Sequence, residues 1–387
     1  MTRLTDILPE DWREAALLGR IRTSAGPYLV LARNGRLFDV TQAAATSAEA
    51  LARSDLRRLD GEDLGALDAL EIHRSWEGEA STAALTLLSP VDLQCLKASG
   101  VTFAVSALER VIEEGARGDP ERAGAIRASL SERIGGDLRA VRPGSGQAAA
   151  LKTALIADGL WSQYLEVAIG PDAEIFTKAP VLASVGWGDW VGVRADSAWN
   201  NPEPEVVIVC DPKGRPVGAG LGNDVNLRDI EGRSALLLGK AKDNNASAAI
   251  GPFIRLFDDG FTMDDVRAAN VALEVMGDDG FVMRGESSMR LISRDPEELI
   301  RQTWGADHQY PDGFALYLGT MFAPIEDRDT PGQGFTHKVG DVVRVSSARL
   351  GVLENRVTTC DQAPPWTMGV SGLMRNLAAR GLLGASR

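Results

Sequence analysis

The chain of 387 residues is long enough for two domains, one of them small, with ample material for a core. Its 41 Lys and Arg against 54 Asp and Glu leave a formal charge of −13, which argues against nucleic acid or an anionic membrane as partner. No apolar run approaches a membrane span, and the N-terminal MTRLTDILPEDWREAALLG lacks the apolar core of a secretion signal, so a cytoplasmic location is expected.

Residues 1–88 read as a small α/β unit and 89–387 as a larger one that carries the chemistry. In the first, Asn34-Gly35 separates Tyr28–Ala32 from Leu37–Val40, the pattern of a tight hairpin. The Ala- and Leu-rich stretch 43–70 is expected to be largely helical, and the lone His73 to be structural. In the second unit, Val101–Val105 reads as a short strand. Ser106, with Glu109 three residues on, makes a capping box for a helix whose solvated face would carry Arg110, Glu113 and Glu114. Residues 119–160 are polar and helical in pattern, broken at Gly135-Gly136 and by a loop at 142–146. Leu165–Ile169 and Ala173–Lys178 are expected strands. The second alternates so that Glu174, Phe176 and Lys178 share one face, and solvent alone would account for that face.

The densest chemistry lies between Trp199 and Phe253. Glu203 and Glu205 run into Val206-Val207-Ile208-Val209, a β-branched run of the kind found in buried strands. Residues i and i+2 of a strand project to one face, so the two carboxylates point the same way. Side by side at the head of a buried strand they need a neutralising charge, and a hard divalent cation such as Mg²⁺ takes oxygen ligands. A turn-rich stretch then reverses the chain and can bring Asp224 to the same place. The plainer reading makes Glu203 and Glu205 solvated edge charges and Asp224 a turn cap. Gly218-Ala219-Gly220-Leu221-Gly222 has the look of a dinucleotide loop, but no suitable helix follows it, so that function is set aside. The three cysteines, Cys95, Cys210 and Cys360, are too scattered for a disulfide framework or a thiolate metal site. Beyond Phe253, strands are expected at 271–275, 281–284, 314–318, 335–343 and 350–357, with helices at 295–300 and 371–383.

Taken together, Glu203-Pro204-Glu205, the segment Asn223-Asp224-Val225-Asn226-Leu227-Arg228-Asp229, and Lys242 ahead of Gly251-Pro252 resemble the fumarylacetoacetate hydrolase superfamily over roughly residues 88–370. The resemblance implies an α+β fold, a distorted β-barrel or roll with a small N-terminal domain used for packing. It implies a metal site of Glu203, Glu205 and Asp224 holding Mg²⁺, or Mn²⁺ or another divalent ion. It puts Ser106 and Arg110 on a loop over the site, where the donor fork of Arg suits a substrate carboxylate. Lys178, Arg228 and Thr320 would also bind substrate, and Glu174 and Lys242 would supply the base and acid. Schiff-base chemistry at Lys242 is a competing role, ranked lower because it leaves three carboxylates without a task.

Hydrolases of the superfamily commonly use a His paired with a Glu to activate water, yet this sequence has no His between His73 and His308. That departure favours an elimination. Stretches 93–97, 106–110, 172–176 and 308–314 are similar to those of superfamily members that dehydrate 2-keto-3-deoxy-D-pentonates to 2,5-dioxopentanoate (α-ketoglutarate semialdehyde) in oxidative pentose breakdown. The resemblance thus implies a hydro-lyase acting on a small sugar acid as a homodimer or homotetramer. Acylpyruvate or diketo-acid hydrolysis and 2-oxo-acid decarboxylation are the enzyme alternatives. A sugar-acid-binding protein with a vestigial metal site is the non-catalytic one.

Overall fold

The computed structural model describes residues 2–78, 84–103, 107–108, 111–112, 124–126, 128–130, 141–322, 326–329 and 334–383. Ser106, Glu109, Arg110, Glu113, Glu114 and the Gly135-Gly136 break lie outside the described residues. The fold is built on a large, almost wholly antiparallel sheet. At its centre the β-branched run forms the strand Pro204–Cys210, buried at every position. Pro216–Asp224 pairs with it on one side and Phe314–Tyr317 on the other. Cys95–Gly100 then joins in parallel and Glu174–Ala179 closes that flank. On the opposite flank Ala248–Leu256 is followed by Leu17–Thr23, Gly26–Arg33, Arg36–Asp39 and Glu62–Ala66. The N-terminal residues therefore extend the same sheet that carries the Glu-x-Glu strand.

A second sheet of five strands runs in the order Trp190–Val193, Gly351–Thr359, Val342–Ser347, Asn270–Met276, Val282–Ser288. Its inner residues Leu273, Val275, Val343, Val345 and Leu353 meet Val206, Ile208 and Leu221 of the first sheet in one apolar core. The other face of the large sheet, with Leu18, Leu29, Leu31, Val207, Val209, Ile250 and Ile254, gathers with Ala44, Ala50, Leu51, Leu56 and Leu59 in a second core. Covered on both faces, the central strands need the continuous apolar runs they have. The sheets do not close into a barrel, and the architecture is α+β, a distorted roll.

The hairpin at Asn34-Gly35 forms as its sequence dictates, with both residues at positive φ (50° and 71°). Four local expectations fail. Residues 43–70 hold only the five-residue α-helix Ser47–Leu51, two 3₁₀ turns and the strand Glu62–Ala66, because pairing with Arg36–Asp39 overrides Ala/Leu propensity. Leu165–Ile169 belongs to the helix Gln163–Ile169 and is no strand. Ser162 caps that helix, and Leu165, Ala168 and Ile169, three and four apart, bury on one side. Of the strand expected at 101–105, residues 104 and 105 lie outside those described; the preceding strand Cys95–Gly100 ends before it, and Val101 turns into the left-handed region at φ 52°. The strand expected at 335–343 likewise begins only at Val342 and runs to Ser347, before the chain reverses into Gly351–Thr359.

Arg294, wholly buried, ties the helix Gln163–Ile169 to the entry of the Glu174 strand. It donates to the carbonyls of Val167 (2.9 and 2.8 Å), Gly170 (2.7 Å) and Asp172 (3.2 Å), and pairs with Glu298 (2.7 Å). Arg294→Met will lower unfolding free energy by about 3 kcal/mol, since charged hydrogen bonds to buried carbonyls are lost with no water to replace them. Urea denaturation checks this, and a change under 1 kcal/mol would mean the buried network is dispensable.

Candidate metal centre

Sheet pairing brings the carboxylates together. Glu203 and Glu205 sit two apart at the head of the central strand, and antiparallel register sets Pro204 opposite Asn223 and Glu205 opposite Gly222. Asp224, at the end of the returning strand, donates its N–H to the Glu203 carbonyl at 3.0 Å, and Asn223 Oδ1 accepts from the Glu203 N–H at 3.0 Å. One oxygen from each of Glu203, Glu205 and Asp224 lies within 4.8 Å of the other two, and all three residues are buried. Among the described residues no other such trio converges. The glycine-rich stretch 218–222 is the interior of the partner strand, so the rejection of a dinucleotide loop holds.

Two lysines stand against the trio. Lys242, from the short helix Leu238–Lys242, pairs with Glu203 Oε2 and, at 3.0 Å, with Asp224 Oδ2. Lys178, fully buried, pairs with Asp224 Oδ1 at 2.9 Å and donates to the carbonyls of Val225 (3.2 Å) and Lys242. Glu205 accepts the Gly319 N–H at 2.7 Å. Gly319 is at φ 97°, and a Cβ there would stand 2.0 Å from Thr102 Oγ1, so only glycine lets this peptide reach the carboxylate. Asn226 Nδ2 bridges Glu203 Oε1 (3.0 Å) and Glu231 Oε2 (2.6 Å).

A small cavity opens on the trio. Its walls are the end of the strand Cys95–Gly100 with Val101, then Glu174, Phe176, Glu231, Lys242 and Thr320. Glu174 lies over Gly100, where a Cβ would come within 1.9 Å of Oε2. Of the site residues expected from sequence, Glu203, Glu205, Asp224, Glu174, Lys242 and Thr320 meet here. Thr320 Oγ1 donates to the Phe322 carbonyl at 3.0 Å. Lys178 lies behind Asp224 and is not part of the cavity wall; Arg228 stacks on Trp199 at 4.7 Å, also away from it. Ser106 and Arg110 are outside the described residues. Glu231 and Asn226 were missed by sequence reasoning. The spacing from Asp224 to Glu231 carries no periodic signal, and only the turn into the short helix Arg228–Glu231 swings Glu231 back.

The electrostatics fit a cation. In the ion-free site burial, reinforced by Asp224 and Glu203, holds the Glu205 carboxyl well above the usual carboxylate range. Burial also raises Asp224, but Lys178 and Lys242 outweigh it and bring that group below its ordinary value. Lys178 is lowered by burial despite Asp224. Lys242 is pushed down by burial, yet Asp224 and Glu203 outweigh that and leave it raised. Three buried carboxylate oxygens within reach of one another are a hard-ligand set suited to Mg²⁺ or Mn²⁺, with coordination positions left for a ligand. Below that raised value Glu205 holds a proton in the ion-free protein, and loading a cation there displaces it. The stabilisation that this raised group lends the ion-free fold is complete below the unfolded carboxyl value and is lost as pH rises through the raised one. The Tm gain from a fixed Mg²⁺ concentration will therefore grow as pH rises from the ordinary carboxylate range toward the raised Glu205 value, with up to about 1.4 kcal/mol per pH unit for one displaced proton. A pH-independent gain would exclude that displacement.

No family model matches the chain. A 2-dehydro-3-deoxy-D-arabinonate dehydratase of Saccharolobus solfataricus is 30% identical over 183 residues, 46% of this chain and 57% of that protein. A probable 2-keto-3-deoxyxylonate dehydratase of Haloferax volcanii is 31% identical over 196 residues, 51% and 64% of the respective chains. The matched stretches thus span less than two thirds of these relatives. Among solved structures, a 2-keto-3-deoxy-D-arabinonate dehydratase complexed with magnesium and 2,5-dioxopentanoate superimposes with TM-score 0.61 at 21% identity, covering 89% of this chain and 99% of that one. A fumarylacetoacetate hydrolase from Exiguobacterium antarcticum gives 0.55 at 17% identity, covering 89% and 100%. The chain has the fumarylacetoacetate hydrolase fold. Its curated homologues are named as dehydratases of 2-keto-3-deoxy pentonates.

Proposed function

We propose that the protein is a divalent-cation-dependent dehydratase that converts a 2-keto-3-deoxy-D-pentonate to 2,5-dioxopentanoate. The observation that carries this reading is the charge of the buried cluster. Glu203, Glu205 and Asp224, once ionised, exceed Lys178 and Lys242 by one negative charge. A bound divalent cation turns the balance to one positive, and the monoanion of a 2-oxo acid restores neutrality in a place where net charge is costly. The names of the curated homologues and the magnesium-bound fold neighbour support the same substrate class.

A Mg²⁺ ion held by Glu203, Glu205 and Asp224 supplies Lewis acidity to the 2-oxo acid group, lowering the cost of losing a C3 proton. Glu174 and Lys242, both on the cavity wall, are the base for that proton and the acid for the departing C4 hydroxyl, in an order left to the C3-exchange test. Phe176 lies beside Lys242, its ring 5.9 Å from Nζ, and keeps water from that end. Thr320, on the cavity wall, is assigned to substrate binding, and the resemblance adds Ser106 and Arg110; Lys178 acts only through Asp224, and Arg228, stacked on Trp199, stands outside the wall. Among the described residues, those walling the cavity lie after residue 88, which supports chemistry in 89–387 and a packing role for 1–88. Three unpaired cysteines suit a cytoplasmic enzyme, and a homodimer or homotetramer goes with the resemblance. Incubating Mg²⁺-loaded protein with the two C4 epimers of 2-keto-3-deoxypentonate tests the reading. Formation of 2,5-dioxopentanoate supports it; pyruvate plus glycolaldehyde means cleavage, and no product leaves a binder.

A further inference from the structure

Dehydration alone does not give the proposed product. Loss of the C3 proton and the C4 hydroxyl yields 5-hydroxy-2-oxopent-3-enoate, whose C5 is still a carbinol. Reaching the aldehyde requires a proton off C5, protons onto C3 and C4, and loss of the C5 hydroxyl proton. The proton first taken from C3 can return there, and the acid that released water can recover its proton from the C5 hydroxyl. A proton moving from C5 to C4 remains, and it needs its own carrier.

Among the described residues, three titratable side chains beyond the metal trio wall the cavity: Glu174, Lys242 and Glu231. The first two are occupied by the elimination. Glu231 is oriented by the same Asn226 amide that binds Glu203, at 2.6 and 3.0 Å, which fixes one carboxylate oxygen next to the metal ligand. It lies close enough to Lys242 to help raise that lysine. Half-buried on the last turn of the Arg228–Glu231 helix, it is firmly aimed and still near solvent.

We propose that Glu231 is the catalytic residue that carries the proton from C5 to C4, a role that rests on the dehydratase reading. As a carboxylate it takes the C5 proton; the C5–H electron pair forms the C4=C5 bond and the conjugated electrons shift toward the C2 oxygen. C3 is then reprotonated, and Glu231 delivers its proton to C4 as the C5 hydroxyl becomes the aldehyde. The residue begins and ends ionised, and no external acid, base or oxidant is consumed. A single carboxylate serving adjacent carbons transfers the proton on one face of the substrate.

The test uses Mg²⁺-loaded wild type, Glu231→Gln and Glu231→Asp with substrate deuterated at C5, followed by NMR and near-ultraviolet absorbance. Wild type should retain part of that deuterium at C4 of the product. Glu231→Gln, which keeps an acceptor for Asn226, should form 2,5-dioxopentanoate about 100-fold more slowly while C3 exchange and water release persist, so the enone accumulates. Glu231→Asp should recover part of the rate. Wild-type production with Glu231→Gln matching it would overturn the role of Glu231 alone. Equal loss of C3 exchange and product formation would also overturn it, because the residue would then act at the first step. Failure of wild type to form any 2,5-dioxopentanoate would reject the dehydratase reading, and this role with it.

Discussion

Glu205→Gln will abolish Mg²⁺-dependent turnover while leaving the ion-free protein as stable as before. The amide has the shape of the protonated carboxyl that burial, Asp224 and Glu203 enforce in the ion-free site, and its oxygen can still accept the Gly319 N–H. It cannot supply an anionic ligand. We expect kcat/KM to fall by at least about 10³-fold, roughly 4 kcal/mol of transition-state stabilisation. The Tm gain on adding Mg²⁺ should disappear. Glu203→Ala and Asp224→Ala should also be inactive, but each strips a partner from Lys242, and Asp224→Ala from Lys178 as well, so they should lose stability too. Full turnover by Glu205→Gln, or by protein stripped with EDTA, would contradict the metal-dependent mechanism.

Lys242→Met will separate chemistry from metal binding. In the ion-free protein burial lowers Lys242, but Asp224, Glu203 and Glu231 outweigh it and hold the ammonium charged. A divalent cation sharing those carboxylates weakens the cause of that rise, so the lysine holds its proton less tightly in the loaded site and can pass it to the departing C4 hydroxyl. Loss of that group should cut kcat by about 10²- to 10⁴-fold, with little change in KM and no loss of Mg²⁺ affinity. Glu174→Gln should behave similarly. Exchange of C3 protons for deuterium assigns the roles: the variant lacking the base loses exchange, whereas one lacking only the C4 acid still exchanges. If both variants exchanged at the wild-type rate, neither residue would be the base.

The metal centre was legible because its determinants are local. The i, i+2 spacing of Glu203 and Glu205 needs only a strand, and the turn after Asp211 needs only to fold back for Asp224 to arrive. The position of Lys178 was not legible in this way. Its alternation with Glu174 and Phe176 suggested a common face, yet the strand runs from half-buried at Glu174 to fully buried at Lys178, which ends behind Asp224. That depth is set by the Val225 and Lys242 carbonyls, both distant in sequence. Leu165–Ile169 was misread because five apolar-rich residues fit either period, and the Ser162 cap decides for helix. Glu231 went unnoticed since its approach to Glu203 depends on one side-chain amide, that of Asn226.

The central claim is that a divalent ion at Glu203, Glu205 and Asp224 receives the 2-oxo acid. Water-proton relaxation by Mn²⁺ tests it most directly. The account predicts a single tightly bound Mn²⁺ per chain, absent from Glu205→Gln, and a relaxation enhancement that falls as 2-oxopentanoate displaces coordinated water. Equal Mn²⁺ binding by Glu205→Gln, or an enhancement indifferent to the 2-oxo acid while the pentonate is still turned over, would contradict it.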